Sequence, residues 1–533
     1  MMTFTFTGTS GSEPVLYLTY SAYRVQTRDA SAPDLPSRVW VSHGCRRVLS
    51  DLVPVLEEGH QLPASSAAVQ RLGLVEGLPY RLKWVGGELV VGPVVGLHLA
   101  AKTKDMATGP HSSARLFFLR YGGVGGLAFA FATDGLNVSE GWVEGYYWKP
   151  EGSEPGPTAS PGGDITTGGE SWRRTRGLAE RVVKRASSEG LPAETNRRTA
   201  RFQAMGAEFL GRKAMEKTET TADSRVPILP DTTAGGHLAP GRFPLPAAVW
   251  RRCGRLPPDT LSALMEKTDG HVFNSDFFDK WEGFRRLSTN PSLRRHLPET
   301  APLTNVDDLV ARLAARHSIV LKQREGNSGY GMVLLEPDGD GDGCTARYRV
   351  GGRTEHFPSA DSLKRKLGPL VTGRPYLVQE HIRLPSYKDR VVDFRVMMQK
   401  DHRGAWQPVV ALGRFGSPGS IVTSFINNGY ALPADEAMRR VFGLTWRGAF
   451  AFKCRLVDFC AEVCRALDES GGCYGDLGLD VGIDVEGHLW LFEANKLPFH
   501  ELALYAGQEQ AYLAVKSGPL LYASHLAGFP GES

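Results

Sequence analysis

Residues 475–498, GDLGLDVGIDVEGHLWLFEANKLP, carry the side chains whose types and spacing best suit chemistry. Two short apolar strands meet at a Glu486-Gly487 turn, a hairpin pattern. Asp480 lies on the first strand, Glu493 and Asn495 lie on the second, and Pro498 closes the run. Side chains alternate faces along a strand, so Glu493 and Asn495 share a face and the hairpin brings Asp480 beside them. The cluster offers oxygen ligands with roughly two negative charges, which suits Mg²⁺ held together with nucleotide phosphates. An edge hairpin with solvated acids has the same local pattern, so the stretches upstream must decide.

The first of these is GNSGYG, Gly326 to Gly331. Glycine lets a backbone approach a ligand closely and turn its amides toward phosphate oxygens. The run lacks the GKS or GKT of a P-loop, and alone it is weak. Lys322, four residues earlier on the strand SIVLKQ, emerges beside it with an ammonium that can reach a phosphate; a solvent-facing edge lysine is the alternative. Next, the apolar strand YLVQEHIRL turns polar at Gln379, Glu380 and His381, where backbone groups can meet the edge of adenine while Ile382 covers its face. In VVDFRV, Asp393 and Arg395 share a strand face and Arg414 follows on the next strand. Two arginines near Mg²⁺ suit a carboxylate or a phosphoryl group. A plain salt bridge between Asp393 and a neighbouring arginine fits the same residues.

The elements that must position these groups follow from patterning. At 533 residues the chain holds about three domains. Apolar residues at 41% and charged residues at 23% describe a globular protein. A net charge of +4 is too weak to imply nucleic acid. Seven scattered cysteines without a CxxC pair read as reduced core thiols. No secretory signal or apolar run of about 18 residues appears, so a cytoplasmic protein without a transmembrane segment is expected.

Residues 1–35 are rich in Thr, Ser and Pro and read as a flexible lead-in, although EPVLYLTYSAYRV has the pattern of one strand. Residues 36–110 read as a β-rich domain with a hairpin at Gly86-Gly87. Residues 111–150 and 241–300 read as a further α/β region. Between them, 151–240 is Pro, Gly, Ser and Thr rich at first and cannot bury enough apolar area to order itself. It turns basic over 172–217, with 12 Lys and Arg against 5 Glu, and reads as a largely disordered insert with one partly formed helix. PDGDGDG, 337–343, resembles the start of an EF-hand, but Arg349 stands where the twelfth-position Glu is needed, so a polar turn is expected. AFKCRLVDFCAEVCRALDES is an amphipathic helix backing the hairpin, and 506–533 reads as a short helix and tail.

The order of parts resembles the ATP-grasp superfamily: lysine in FDKW, lysine before a glycine loop, a VQEHI hinge, a DFR strand, then Asp and E-x-N. The 13-residue step from Asp480 to Glu493 and the E-x-N-x-x-P pattern are similar to those of D-alanine ligases. NSDFFDKWEGFRRL, LPET, VDFRVMMQKD, GSIVTS and GLDVGID resemble, more closely, the YheC/YheD-type endospore coat-associated proteins. The likeness is strong over about 271–503, weaker over 39–149 and 241–270, and absent from the insert. Ser424 stands where that family commonly has Asn.

The resemblance implies an α+β, ATP-grasp fold, two α+β subdomains enclosing a nucleotide cleft, with an N-terminal β-rich domain. It implies a small lid subdomain over 301–390 and a metal-binding subdomain over 391–505. It implies that Lys280 and Lys322 contact ATP phosphates under a loop containing Gly326, Ser328, Gly329 and Gly331. Gln379, Glu380, His381 and Ile382 would cradle adenine, with Asp393 also on the cofactor side. Asp480, Glu493 and Asn495 would hold Mg²⁺, two ions with Mn²⁺ as an alternative, and Arg395 and Arg414 would serve catalysis at the phosphoryl end. The implied activity is an ATP-dependent carboxylate-amine ligase that forms an amide or peptide-like bond through an acylphosphate, associated with the spore coat. Its partners would be small-molecule or peptide carboxylates and amines, with spore coat proteins. A non-catalytic nucleotide-binding coat scaffold and a kinase-like phosphotransferase remain the alternatives.

Overall fold

The computed structural model describes residues 4–19, 38–55, 61–99, 127–150 and 236–529, apart from 77, 86–87, 255, 316, 327–328, 330, 339–342, 349–352, 374 and 424–428. Its first unit is a closed barrel of seven strands: β1 (Phe4–Thr9), β2 (Val15–Thr19), β3 (Arg38–His43), β4 (Arg46–Val55), β5 (Gln61–Ser65), β6 (Pro79–Val85) and β7 (Glu88–Gly92). Alternation fills it, with Phe4, Phe6, Leu16, Leu18, Val39 and Val41 pointing inward. Helix α1 (Ser66–Leu72) starts at Ser65, whose hydroxyl accepts from Ala68 N. Over 4–19 the expected lead-in is therefore corrected, since β1 and β2 are barrel staves, and residues 20–35 lie outside the described residues. Their Thr-rich composition hid a period-two apolar pattern, and such a pattern needs few apolar residues when only one face is buried. Residues 86–87, the expected hairpin turn between β6 and β7, lie outside the described residues.

Strand β8 (Val94–Leu99) leaves the barrel and enters a second sheet with β9 (Leu127–Asn137), β10 (Trp142–Pro150), β11 (Gly236–Pro244), β12 (Ala248–Arg252) and β13 (Val272–Phe273). It pairs in parallel with β9 and β12, and its residues 94–98 are buried throughout, as suits a covered parallel strand. This corrects the assignment of 94–99 to the β-rich domain. Helix α2 (Pro258–Lys267) connects β12 to β13. Most of the basic insert lies outside the described residues, but its last part, from Gly236, begins β11.

Helices α3 (Lys280–Ser288) and α4 (Pro291–Arg294) lead to a third sheet. It runs β14 (Thr300–Pro302), β19 (Tyr376–Glu380), β15 (Ile319–Gln323), β16 (Val333–Pro337), β17 (Cys344–Tyr348), β18 (Thr354–Phe357), backed by α5 (Val306–Ala314) and α6 (Ala360–Gly373). The fourth sheet has the order β23 (Tyr430–Pro433), β22 (Trp406–Phe415), β21 (Arg390–Lys400), β24 (Asp476–Ile483), β25 (Leu489–Asn495), with β20 (Ser386–Tyr387) on β21. Helices α7 (Ala434–Phe442) and α8 (Trp446–Glu469) cover it, and α8 turns Phe452, Leu456, Cys460, Val463 and Cys464 into the core. Cys45, however, is exposed, unlike the core thiol expected of it.

The chain closes with α9 (Leu502–Tyr505) and α10 (Glu509–Leu526). The expected short tail is instead an 18-residue helix, because it has apolar residues on several sides to bury. Val515 packs with the fourth sheet, while Leu520, Tyr522 and Ala523 pack with Trp250 and Phe273 of the second. No helix among the described residues is long and apolar enough to cross a membrane.

Candidate functional site

On the late hairpin Asp480 pairs with Glu493 and Gly478 with Asn495, and a register shift follows Asp480 directly. Such an irregularity re-aims side chains at a strand pair. Asn495 Nδ2 donates to Asp480 Oδ2 at 3.3 Å, so these two of the expected ligand residues meet, through the amide nitrogen of Asn495. On its other edge β24 pairs with β21, placing Arg395 opposite Asp480. Arg395 binds Asp480 in bidentate fashion through Nε and Nη2, the latter at 3.0 Å.

Arg414 lies opposite Asp393 and donates to it at 2.8 and 2.6 Å, while also reaching Asp480 Oδ1 at 3.2 Å. Thr423 Oγ1 donates to Asp393 at 2.7 Å. Two guanidiniums and two carboxylates thus form a nearly neutral buried cluster. Burial works against both charges, but the opposing partners outweigh it: Asp480 is held below the usual carboxylate range by Arg395 and Arg414, and Arg414 is held above its ordinary value by Asp393 and Asp480.

The lysines approach from the third sheet and from α3. Lys322 on β15 is half-buried, donates to Gln379 Oε1 and lies 5.5 Å over the Phe492 ring. Burial pulls its pKa down to about 8, with Glu493 opposing the fall. Lys280 is the first residue of α3. Asp279 caps that helix by accepting from Trp281 N and Glu282 N, both at 2.9 Å, and Glu282 accepts in return from Asp279 N. So positioned, Lys280 Nζ donates to Gly326 O at 2.6 Å and stands 3.5 Å from Glu493 Oε1. One ammonium therefore touches both the glycine loop and the hairpin.

A cavity of about 1240 Å³ lies between these elements. Its wall includes Lys280, Lys322, Gly326 and Gly329 on one side and Asp393, Arg395, Arg414, Asp480, Glu493 and Asn495 on the other. Gln379, Glu380, His381 and Ile382 line it too. The amides of Glu380 and His381 already donate to Glu299 O and Ser318 O at 2.8 and 3.1 Å, and the Gln379 side chain bridges Lys322 and Thr300. Of the hinge residues, then, Gln379 acts first on Lys322. Gly331 does not line the cavity; it sits at φ 71° against Gln323 and Tyr376. Ser328 and Ser424 lie outside the described residues.

Two residues that sequence reasoning missed complete the site. Lys496 follows Asn495, lines the cavity, donates to Phe278 O and sits 4.0 Å over the Phe278 ring. Burial brings its pKa to about 8, with Glu493 again opposing. Its adjacency to E-x-N was the one available signal. Buried Asn274, at φ 54°, donates to Asp476 O at 2.6 Å and Lys496 O at 2.8 Å and accepts from Gly475 N at 2.9 Å. It staples the start of β24 to the end of β25.

For a divalent cation Asp480, Glu493 and Asn495 offer carboxylate and amide oxygens on facing strands, the donor type a hard ion takes, with both Asp480 oxygens accepting from guanidiniums and the Asn495 nitrogen turned to Asp480. Among the described residues no group of three His, Cys, Asp or Glu side chains could hold a metal unaided. Mg²⁺ at two carboxylates and one amide would take its remaining oxygens from phosphate and water.

The YheC/D like ATP-grasp family model matches residues 269–526. The chain is 25% identical over 299 residues to the endospore coat-associated protein YheD of Bacillus subtilis (strain 168), a match covering 53% of this chain and 64% of the relative. It is 24% identical over 240 residues to YheC of the same organism, covering 44% and 63%. The chain thus spans less than two thirds of either relative. Among solved structures it is similar to the macrocyclase MdnC bound with precursor peptide MdnA from Microcystis aeruginosa (13% identity, TM-score 0.35, 81% of this chain and 99% of that one). It is also similar to N5-carboxyaminoimidazole ribonucleotide synthetase from Thermotoga maritima (12% identity, TM-score 0.29, 50% and 58%). Residues 269–526 of this chain are a YheC/D-like ATP-grasp domain.

Proposed function

We propose that this domain is an ATP-dependent ligase joining a carboxylate to an amine through an acylphosphate. One observation carries the reading: lysines from α3 and β15 and the oxygen-bearing side chains of β24 and β25 line a single cavity, with Lys280 touching both the glycine loop and Glu493. Lys280, Lys322 and Lys496 bind and orient the phosphates. The loop at Gly326 and Gly329 covers them and excludes water. Gln379 holds the Lys322 ammonium in place, and Ile382, just past the end of β19, borders the base. A substrate carboxylate oxygen attacks the γ-phosphorus, the bond to the bridging oxygen breaks, and ADP leaves. An amine nitrogen then attacks the acyl carbon, phosphate departs, and the nitrogen loses a proton. Mg²⁺ held by Asp480, Glu493 and Asn495 would supply neutralisation of charge between the β and γ oxygens. Positioning and electrostatics by this chain's residues provide the rest.

Nucleotide binding without turnover, as in a coat scaffold, is favoured by a different observation: the Asp480 carboxylate is already engaged by Arg395 and Arg414. Incubation with Mg²⁺, ATP, candidate carboxylates and hydroxylamine separates the readings. A ligase yields a hydroxamate and ADP, both lost in Glu493→Gln. A scaffold binds ATP and yields neither, and a phosphotransferase acting on a hydroxyl yields ADP with no hydroxamate.

A further inference from the structure

Immediately after the hairpin the chain alternates faces: Pro498 and His500 are buried, whereas Leu497 is 37% and Phe499 48% exposed. Both exposed side chains line the cavity. Large apolar side chains are scarce on the described surface, eight in all, and two of them fall within these three positions. Isolated exposed apolar residues need no explanation, but a cluster facing a cavity does.

The inward positions show how firmly the pair is held. A methyl on Gly478 would lie 2.8 Å from Pro498 Cβ and 3.1 Å from Arg395 Nη1, so proline ring and guanidinium flank one backbone point. Arg252 Nη2 donates to Pro498 O at 3.0 Å, and its Nη1 reaches Asp476 Oδ2 at 3.0 Å. His500 Nε2 stands 3.0 Å from the same oxygen. A buried ionic knot thus fixes the segment from behind while Leu497 and Phe499 face the cavity. Tyr505 stacks on Phe499 with ring centroids 6.0 Å apart, and Ile421 adds to the wall. None of these four side chains carries a charge at neutral pH, and Leu497, Phe499 and the Tyr505 ring stacked on it give this part of the wall an apolar shelf.

The cavity exceeds the roughly 300–1,000 Å³ usual for one small ligand, leaving volume for a second beside a nucleotide. Arg395 lines the same cavity as the shelf, with Nε and Nη2 engaging Asp480 and Nη1 beside Gly478, the backbone point that Pro498 also meets. Resting on the ligase reading, we propose that Leu497 and Phe499 form the subsite for a carboxylic acid with an aromatic or branched aliphatic side chain, its carboxylate beside Arg395.

The test uses the full chain. A non-hydrolysable ATP analogue with Mg²⁺ is titrated first by calorimetry, followed by N-acetyl-phenylalanine, N-acetyl-leucine, N-acetyl-aspartate and phenylalaninamide. The two apolar acids are expected to bind, and the other two at least about tenfold more weakly. Phe499→Ser and Leu497→Ser, made separately at exposed positions, should each weaken N-acetyl-phenylalanine about tenfold and change the analogue's affinity less than about twofold. Equal binding of N-acetyl-aspartate, binding confined to the amide, no binding of any acid, or binding that ignores both substitutions overturns the proposal. Failure of the ligase reading is seen separately, as uptake of the analogue by a chain that forms neither hydroxamate nor ADP from ATP in the hydroxylamine incubation.

Discussion

Lys322 combines burial with a positive charge, and burial alone would make that charge unfavourable. Its pKa near 8 follows from that conflict, with Glu493 giving partial relief. Nucleotide phosphates would raise it again, since nearby negative charge favours the ammonium. Binding should therefore take up protons above about pH 8, where the empty-site lysine is largely neutral, and take up few near pH 6.5, where it is already charged. Calorimetry in buffers of different ionisation enthalpy measures this. Uptake at about pH 8.5 that shrinks in Lys322→Met is the expected result, and equal uptake at both pH values contradicts it. Lys322 and Glu493 were legible because their residue types and spacing carry the signal themselves. Lys496 and Asn274 were not, since each acts through a backbone carbonyl about two hundred residues away in sequence.

At the scale of elements, the site depends on how two strands are held in register. Asn274 does this with one side chain, reading the backbone of Gly475, Asp476 and Lys496. Removing it leaves several buried polar groups unpaired, at a cost of about 3 kcal/mol. Asn274→Ala should lower the unfolding free energy by that amount, read in urea as a lower midpoint with the slope unchanged, whereas a loss under about 0.5 kcal/mol would show that the staple is dispensable. The hairpin was readable because its apolar pattern and its Glu486-Gly487 turn agree, and Gly487 indeed sits at φ 83°. Strands β1 and β2 were not, because Thr and Ser on the exposed face diluted the pattern. Strand β8 was misassigned since a continuous apolar run gives no hint of which sheet receives it.

At the scale of the molecule, α10 joins what the sequence presents as separate domains. It packs on the fourth sheet through Val515 and on the second through Leu520 and Tyr522. Buried Arg81 on the barrel donates to Ser524 Oγ at 2.7 Å and Phe529 O at 2.8 Å, so the barrel meets the last described residues. The late hairpin is thereby braced from the side of the second sheet, through Arg252 and through Asn274 just after β13, while Lys322 arrives from the third sheet and Lys280 from α3. Long-range docking of this kind leaves no local pattern, which is why the tail was read as short.

The account requires that the lysine side and the carboxylate side of the cavity hold the same Mg²⁺·ATP. Titration of Mg²⁺·ATP into the parent, Lys322→Ala, Glu493→Gln and the double variant measures this directly. Each single change should weaken binding at least about tenfold, with the double losing less than the product of the two because both act on one ligand. A parent that takes up no nucleotide, or single variants that bind as the parent does, would contradict it.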